Sequence, residues 1–369
     1  MIQIQSIASI SPAGYDAASV TESYTRARPC FTTHERSGLP VGRLSEEAES
    51  ALESIKLDPR YSKLDRTVHL AIFAARRAVQ NLHEPLKLPS CVNFASSRGA
   101  TTTLERSIIE YEKTGKVRPH ASPLTTLGNI SAWVANDLRL AGAYFDHSMT
   151  CSSSHLSLLN AVAWLKSDMA QCCIVGGSEA PLTDYTLEMM RSMGIYSKIP
   201  ADSRPCRPFD KDHQSGLVIS EGAGAMILTK SEDTKQHDRI CILAIGTASE
   251  GFTSGSDISK EGFSLYTAMM NCVKQVKTDI EMIVPHAPGT NHGDEAEWNA
   301  IHRLFGSSKP EILSNKSIIG HTLGAAGVLG IEYAFHLMTG SLKGYLAPKT
   351  VMINTAGFGG TAVSIVLSR

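Results

Sequence analysis

The sequence predicts a layered α/β protein built from two halves, on three observations. Residues 143–180 run as an apolar strand, a helix and a second apolar strand, and the helix is long enough for a parallel crossover. The grammar of strand and helix is repeated in the last third of the chain. At 369 residues the chain exceeds the size at which one hydrophobic core stops growing.

Taken in order, residues 2–9 alternate as a strand should, and "SPAG" turns the chain. From 41 to about 110 the pattern is mainly helical, most clearly in "DRTVHLAIFAARRAVQNL", where apolar residues recur at helical spacing. "LPSCVNFASS" reads as a buried strand, and "TTTLERSIIEYEKTG" as the helix after it. Beyond the "RPHASP" loop, "LTTLGNISAWVANDLRL" has helical spacing, with an end expected near Leu140 because "AG" follows. The strand "AYFDHSMT", the helix "SSSHLSLLNAVAWLKSD" and the strand "QCCIVGGSEA" make the crossover.

"SGLVISEGAGAMILTK" predicts two strands around a glycine-rich turn, and the charged "SEDTKQHDR" reads as a mobile connection. A boundary at 235–240 divides the chain into 1–235 and 236–369. In the second half a helix follows "SDISKEG", a strand occupies "IEMIVPHAPGT", and a helix covers "DEAEWNAIHRLF". A glycine-rich helix follows "NKSIIGHT", and "VMINTAGFGGTAVSIVLSR" closes as strand, glycine turn and antiparallel strand. The small residues at 320–330 and 356–362 imply close backbone packing.

Composition narrows the function. With 36 acidic and 35 basic residues the net charge is -1, which argues against a surface that coats nucleic acid. The 8 cysteines lack CxxC spacing, which suggests reduced thiols in a cytoplasm. No segment approaches the ~20 apolar residues of a membrane span, and the N-terminus lacks the pattern of a targeting signal.

Three separated stretches carry candidate chemistry. Cys151 precedes a helix, where free N–H groups and the positive end of the helix dipole favour thiolate. The alternatives at that point are a small buried hydrophobe or a metal ligand, whereas Cys172 and Cys173 sit in an apolar strand and belong to the core. His286 follows a strand directly, where a sheet end aims side chains into a crevice. It can serve as a hydrogen-bond donor, or it can join His292 and Asp294 as a metal cluster, although no ligand spacing accompanies them. His321 precedes a helix of small residues, where a neutral imidazole is favoured. Lys316 lies five positions earlier, and Asp294 or Glu297 could pair with it in a buried charge network. The plain alternative is a surface lysine near a satisfied core histidine.

Together these stretches resemble the β-ketoacyl-acyl-carrier-protein synthases, condensing enzymes of the thiolase-like superfamily. "TCSSSHLSLLNAVAW" corresponds to the family's nucleophile stretch, and "SRPCRPFDKDHQSGLVISEGAGAMIL" to its SRPFD-to-EGAG region. "HAPGTNHGDEAE" resembles the HGTGT motif with its following acidic positions, "KSIIGHTLGAAG" supplies a lysine and a histidine, and "NTAGFGG" matches the closing NSFGFGG loop. The matches run from Cys151 to the C-terminus, and the first 90 residues match only loosely.

The resemblance implies a layered αβαβα fold and decarboxylative condensation without a metal or other cofactor. Cys151 would accept the acyl group, and His286 and His321 would bond the malonyl thioester oxygen. Lys316, Glu297 and Asp294 would orient the histidine segment, and the backbone N–H groups of Cys151 and Phe358 would form an oxyanion hole. Its implied partners are acyl carrier protein and a second chain, either a copy of itself or a chain-length-factor-like subunit. Thiolases of the superfamily use a second cysteine near the C-terminus, and none follows Cys272 here. A chain-length subunit usually lacks the nucleophile, so Cys151 also argues against a noncatalytic role.

Two departures bear on substrate. Pro288 stands where the family has the first threonine of its motif, leaving Thr290 to contact the pantetheine arm. Pro288 has neither a hydroxyl nor an N–H, so the arm should be held differently. Ala356 replaces an aromatic beside the Phe358–Gly359 turn, which would reshape the acyl entrance. The expectation is an unusual acyl chain of the aryl-polyene or flexirubin type.

Overall fold

A computed structural model describes all residues except 83, 87, 89, 128, 213, 232–238, 252–257 and 308–309. The predicted "SEDTKQHDR" connection and most of the proposed boundary therefore lie outside the described residues. The first half contains β1 (Ile2–Ile10), α1 (Ala17–Arg26), the short β2 (Thr32–Thr33) and β3 (Pro40–Val41), α2 (Glu46–Lys56) and α3 (Arg66–Gln80). It continues through β4 (Ser90–Ala95), α4 (Thr101–Thr114), α5 (Ala121–Thr125), α6 (Asn129–Asp137), β5 (Ala143–His147) and α7 (Ser153–Lys166). β6 (Cys172–Glu179), α8 (Asp184–Ser192) and β7 (Gly222–Lys230) complete it. The second half runs β8 (Cys241–Ser249), α9 (Phe263–Val273), β9 (Met282–Val284), α10 (Asn291–Phe305), β10 (Glu311–Ile312), α11 (Lys316–Ile319), α12 (Ala326–Met338), β11 (Thr350–Gly357) and β12 (Thr361–Ser368).

The strands form one sheet of order β10-β9-β11-β12-β8-β1-β7-β6-β4-β5. Outward from the β1–β8 seam, each side repeats the same pairings. β1–β7–β6 and β8–β12–β11 are antiparallel, and β6–β4–β5 and β11–β9–β10 are parallel. α3 packs on β1, β7 and β6, and α9 packs on β8 and β12. Between the two half-sheets lie α7 and α12, which touch each other and strands of both sides. The layers are therefore αβαβα, as expected.

Sequence explains the burial of the central pair. α12 has only apolar or small residues over most of its length, and all but Phe335 of its residues are buried. α7 begins with Ser153, Ser154 and His155, small or compact enough to sit against it. At Gly327 an added Cβ would lie 2.5 Å from His155 Cδ2, which explains the glycine at this crossing. Among the described residues no helix is long and apolar enough to cross a membrane.

Three expectations differ. Residues 217–220 do not form a second strand of a hairpin; Leu217 bridges Tyr196, Ile219 bridges His321 and Ser220 bridges Gly42, so this stretch runs beneath the candidate site. The helix expected up to Leu140 is α5 followed by α6, and α6 stops at Asp137 with Arg139 at φ 54. Cys173 is core, yet it is joined to Cys91 in a disulfide rather than remaining a free thiol. The parallel register pairs Cys91 with Cys173 across β4 and β6, and sequence spacing cannot display register.

Candidate functional site

The nucleophile candidate sits on a strained turn. Thr150 has φ 47, a left-handed conformation that a β-branched residue adopts at a cost of about 1–3 kcal/mol. Ser153 holds the turn: its Oγ donates to the Thr150 carbonyl at 2.5 Å and accepts the Met149 N–H at 2.8 Å. The next turn of chain is α7, whose N-cap is Ser152, so Cys151 lies just outside the helix mouth. Its side chain lines a cavity of about 940 Å³ shared with His286 and His321.

His321 is aimed by its backbone. Its N–H donates to the Val218 carbonyl at 2.8 Å and its carbonyl accepts the Ser220 N–H at 3.0 Å. Nε2 then lies 3.1 Å from Cys151 Sγ. The His286 ring stands edge-on to the His321 ring, with centroids 5.3 Å apart and an interplanar angle of 82°. Three segments far apart in sequence thus bring one thiol and two imidazoles to one cavity, as the sequence led us to expect.

The expected thiolate is not what burial allows. Cys151 is 8 % exposed, and desolvation, reinforced by the Glu179 carboxyl, pushes its thiol up to about 12. That rise corresponds to about 4 kcal/mol in favour of the thiol, while a helix end contributes about 0.3–1 kcal/mol. Burial wins. His321 is pushed down to about 3 by burial and by the Lys316 charge, and His286 is held well below the ordinary imidazole range for the same two reasons. The resting pair is a neutral thiol and a neutral imidazole within hydrogen-bond distance.

The supporting carboxylates act on backbone. Glu297 Oε1 accepts the His286 N–H at 3.0 Å and the Asn354 Nδ2 at 3.0 Å, and Oε2 accepts the Ala287 N–H at 2.6 Å. Asp294 clasps two loops, accepting the Gly289 N–H at 3.0 Å and the Phe209 N–H at 2.7 Å. Lys316 departs from the expected direct pairing with either acid: its Nζ donates to the Pro285 carbonyl at 3.2 Å, and no carboxylate lies in ion-pair contact among the described residues. The His286 loop already uses Glu297 through its amides, so lysine and glutamate grip that loop from different sides. Burial raises the Glu297 carboxyl and Asp294, the latter to about 7, and lowers Lys316.

The metal alternative loses its ligand set. His292 Nε2 bonds the Ile258 carbonyl at 2.8 Å, while Asp294 is committed to its two amides. Among the described residues no group of three or more potential ligands is placed to hold a metal.

Pro288, Thr290, Ala356 and Phe358 line the cavity, and Gly359 turns the following loop at φ 86. Gly357 is required where it stands, because an added Cβ would lie 1.9 Å from Thr150 Oγ1. The closing loop and the nucleophile turn therefore touch. Two site residues escaped sequence reasoning. Glu179 Oε1 accepts the N–H groups of Ser97 and Gly324, tying the turn after β4 to the segment after His321. Its signal was a glutamate ending the otherwise apolar "CCIVGGSE". Arg98 also lines the cavity, and "SSRG" gives no sign of it beyond a polar turn.

Comparison with known proteins agrees with this geometry. The family "Beta-ketoacyl synthase, N-terminal domain" matches residues 24–234, and "Beta-ketoacyl synthase, C-terminal domain" matches residues 240–349. The chain is 27% identical over 354 residues to nodulation protein E of Rhizobium sp. (strain N33), covering 89% of this chain and 83% of the relative. It is 26% identical over 283 residues to 3-oxoacyl-[acyl-carrier-protein] synthase 1 of Escherichia coli (strain K12), covering 69% of this chain and 68% of the relative. The structure of the ishigamide ketosynthase/chain length factor has the same fold, with a TM-score of 0.87 at 18% identity over 100% of this chain and 98% of that one. With both family domains matched along most of its length, the chain belongs to the β-ketoacyl synthase family, the condensing enzymes of fatty-acid and polyketide synthesis.

Proposed function

We propose that the chain joins acyl units in two steps on Cys151, and the contact that carries this reading is the 3.1 Å approach of His321 Nε2 to its sulfur. As Sγ attacks an acyl-carrier thioester, its proton passes to Nε2. The N–H groups of Cys151 and Phe358 hold the tetrahedral oxyanion, which collapses to expel the pantetheine thiolate. That thiolate takes the proton from His321, leaving acyl-Cys151 and a neutral imidazole. His321 then exchanges its ring proton through water to the Nε2–H tautomer, and a malonyl thioester enters and loses carbon dioxide with His286 and His321 donating to its carbonyl oxygen. The resulting enolate carbon attacks acyl-Cys151, the tetrahedral adduct collapses, and the Cys151 sulfur departs as a thiolate that takes a proton from water.

Lys316, Glu297 and Asp294 are positioning residues for the histidine segment, and the halves 1–235 and 236–369 each bring part of the site. Thr290 holds the pantetheine arm beside Pro288, while Ala356, Phe358 and Gly359 shape the acyl entrance. The room left by Ala356 favours an aryl-polyene or flexirubin type chain, and faster turnover of saturated fatty acyl carriers would refute that part. The carrier is an acyl carrier protein, in keeping with the name of the E. coli relative.

A second chain is also part of the reading. β5 is the last strand of the sheet, with Tyr144 and Phe145 exposed, and α4 of the same half exposes Leu104, Ile108 and Ile109. This unpaired edge with apolar flanks, close in sequence to Cys151, suits a copy of itself or a chain-length-factor-like subunit. Intact-protein mass spectrometry tests the chemistry. Incubation with acyl carrier should add an acyl group to the parent chain and none to Cys151→Ala, and malonyl carrier should discharge it as elongated product. Normal loading and product formation by Cys151→Ala would refute the proposal.

A further inference from the structure

The cavity beside Cys151 holds an arginine that makes no ion pair among the described residues. Arg98 sits in the turn between β4 and α4, and its guanidinium makes one hydrogen-bond contact, from Nη2 to the Met189 sulfur at 3.9 Å. Its Nε is buried and has no hydrogen-bond partner among the described residues. A buried guanidinium donor left unpaired is costly, and its planar fork of five donors fits an oxygen acceptor.

Charge around it is one-sided. Among the described residues the cavity lining contains the cations Arg98 and Lys198 and no aspartate or glutamate. Glu179 is the nearby carboxyl and feels the Arg98 charge, but its Oε1 accepts two backbone N–H groups, its Oε2 makes no hydrogen bond to Arg98, and the two side chains are not in ion-pair contact. The turn is also rigid: the Gly99 N–H donates to Ser96 Oγ at 2.9 Å, and the Gly99 carbonyl accepts Thr67 Oγ1 at 2.9 Å. Met190, Met193 and Leu323 supply apolar surface in the same cavity for an alkyl stem. The cavity therefore combines an apolar path with a half-buried guanidinium whose Nε donor is unpartnered.

We propose that Arg98 makes this cavity selective for acyl chains carrying an oxygen acceptor, a carboxylate or a carbonyl, on their distal part, over plain alkyl chains of equal length. This rests on the condensing reading above and names the substrate class of that site. Pairing Arg98 with the malonyl carboxylate is the less favoured role, because a carboxylate held by a guanidinium is stabilised against departure as carbon dioxide.

The test compares matched thioesters on the full chain: hexanoyl, 5-oxohexanoyl and adipoyl carrier, with their eight-carbon counterparts, and loading of Cys151 is timed by intact mass. A hydrogen bond to a charged group corresponds to a preference of about 10- to 150-fold. At least one oxygenated series should load about tenfold faster than the alkyl series, and whether the keto or the carboxyl chain leads identifies the source of the oxygen. Arg98→Leu should abolish or invert that ratio, and Arg98→Lys should keep part of it for adipoyl. Alkyl chains loading as fast as oxygenated ones in the parent, or an unchanged ratio in a folded Arg98→Leu protein, would overturn the assignment of Arg98. So would an Arg98→Leu effect confined to malonyl decarboxylation. Equal loading of every chain defeats only this inference, whereas failure of every chain to load defeats the condensing reading beneath it.

Discussion

Glu297→Gln isolates how the His286 loop is held. The carboxylate is fully buried and accepts three donors, the N–H groups of His286 and Ala287 and the Asn354 amide. A glutamine can keep one oxygen in place, so its best orientation turns the amide NH2 toward the Ala287 N–H and retains the two bonds at Oε1. One charge-assisted bond, about 1.5–3 kcal/mol, is lost, and the stranded Ala287 N–H adds to the cost. If 1.5–3 kcal/mol of this appears as misplacement of the imidazole, condensation falls about 10- to 150-fold at 1.36 kcal/mol per decade. Cys151 and His321 make no contact with Glu297, so alkylation of Cys151 by iodoacetamide should change by less than about threefold. Product formation and carbon dioxide release from malonyl carrier are measured beside alkylation on the same preparation. Parent-like condensation, or an equal fall in alkylation and condensation, would refute the idea that Glu297 acts through the His286 loop.

Other outcomes follow from the same geometry. Because the Cys151 thiol lies near 12 and His321 near 3, the neutral pair persists across the working range, and alkylation of Cys151 should keep rising past pH 9. A plateau with an apparent pKa below 7 would show a thiolate–imidazolium pair instead. Gly357→Ala drives a Cβ to 1.9 Å from Thr150 Oγ1, so acyl loading should fall at least about tenfold, and unaltered loading kinetics would argue against that contact. Thiol titration of the denatured, unreduced chain should find six thiols, with Cys91 and Cys173 joined, and a titre of eight would contradict the bond.

Much of the architecture was legible because period and order survive in the sequence. The strand and helix sequence around Cys151 prescribed a parallel crossover, and β11 and β12 pair through the glycine turn that the closing residues announced. Cys151, His286 and His321 were each visible as a residue at the end of an element. What sequence could not supply was set by register and burial. The disulfide depends on which residues of β4 and β6 face each other. Lys316 and Glu297 looked like an ion pair, yet Lys316 bonds the Pro285 carbonyl while Glu297 accepts the His286 and Ala287 N–H groups and the Asn354 amide, a choice made by loop geometry. The thiolate expectation failed because a helix mouth acts by tenths of a kcal/mol to about one, whereas exclusion from water acts by several. Arg98 had no periodic context at all, and only its enclosure gives it meaning.

The repeated strand pairings on the two sides of the β1–β8 seam have a consequence for how the reactive pair arose in space. In chain order α7 stands between β5 and β6 on one side, and α12 stands between β10 and β11 on the other. Cys151 and His321 each precede one of these helices, so thiol and imidazole hold corresponding stations in a frame whose two sides share one connectivity. Sulfur and imidazole differ here through side chains alone. A backbone of twofold character thus presents two unlike side chains, at equivalent places, to a single cavity.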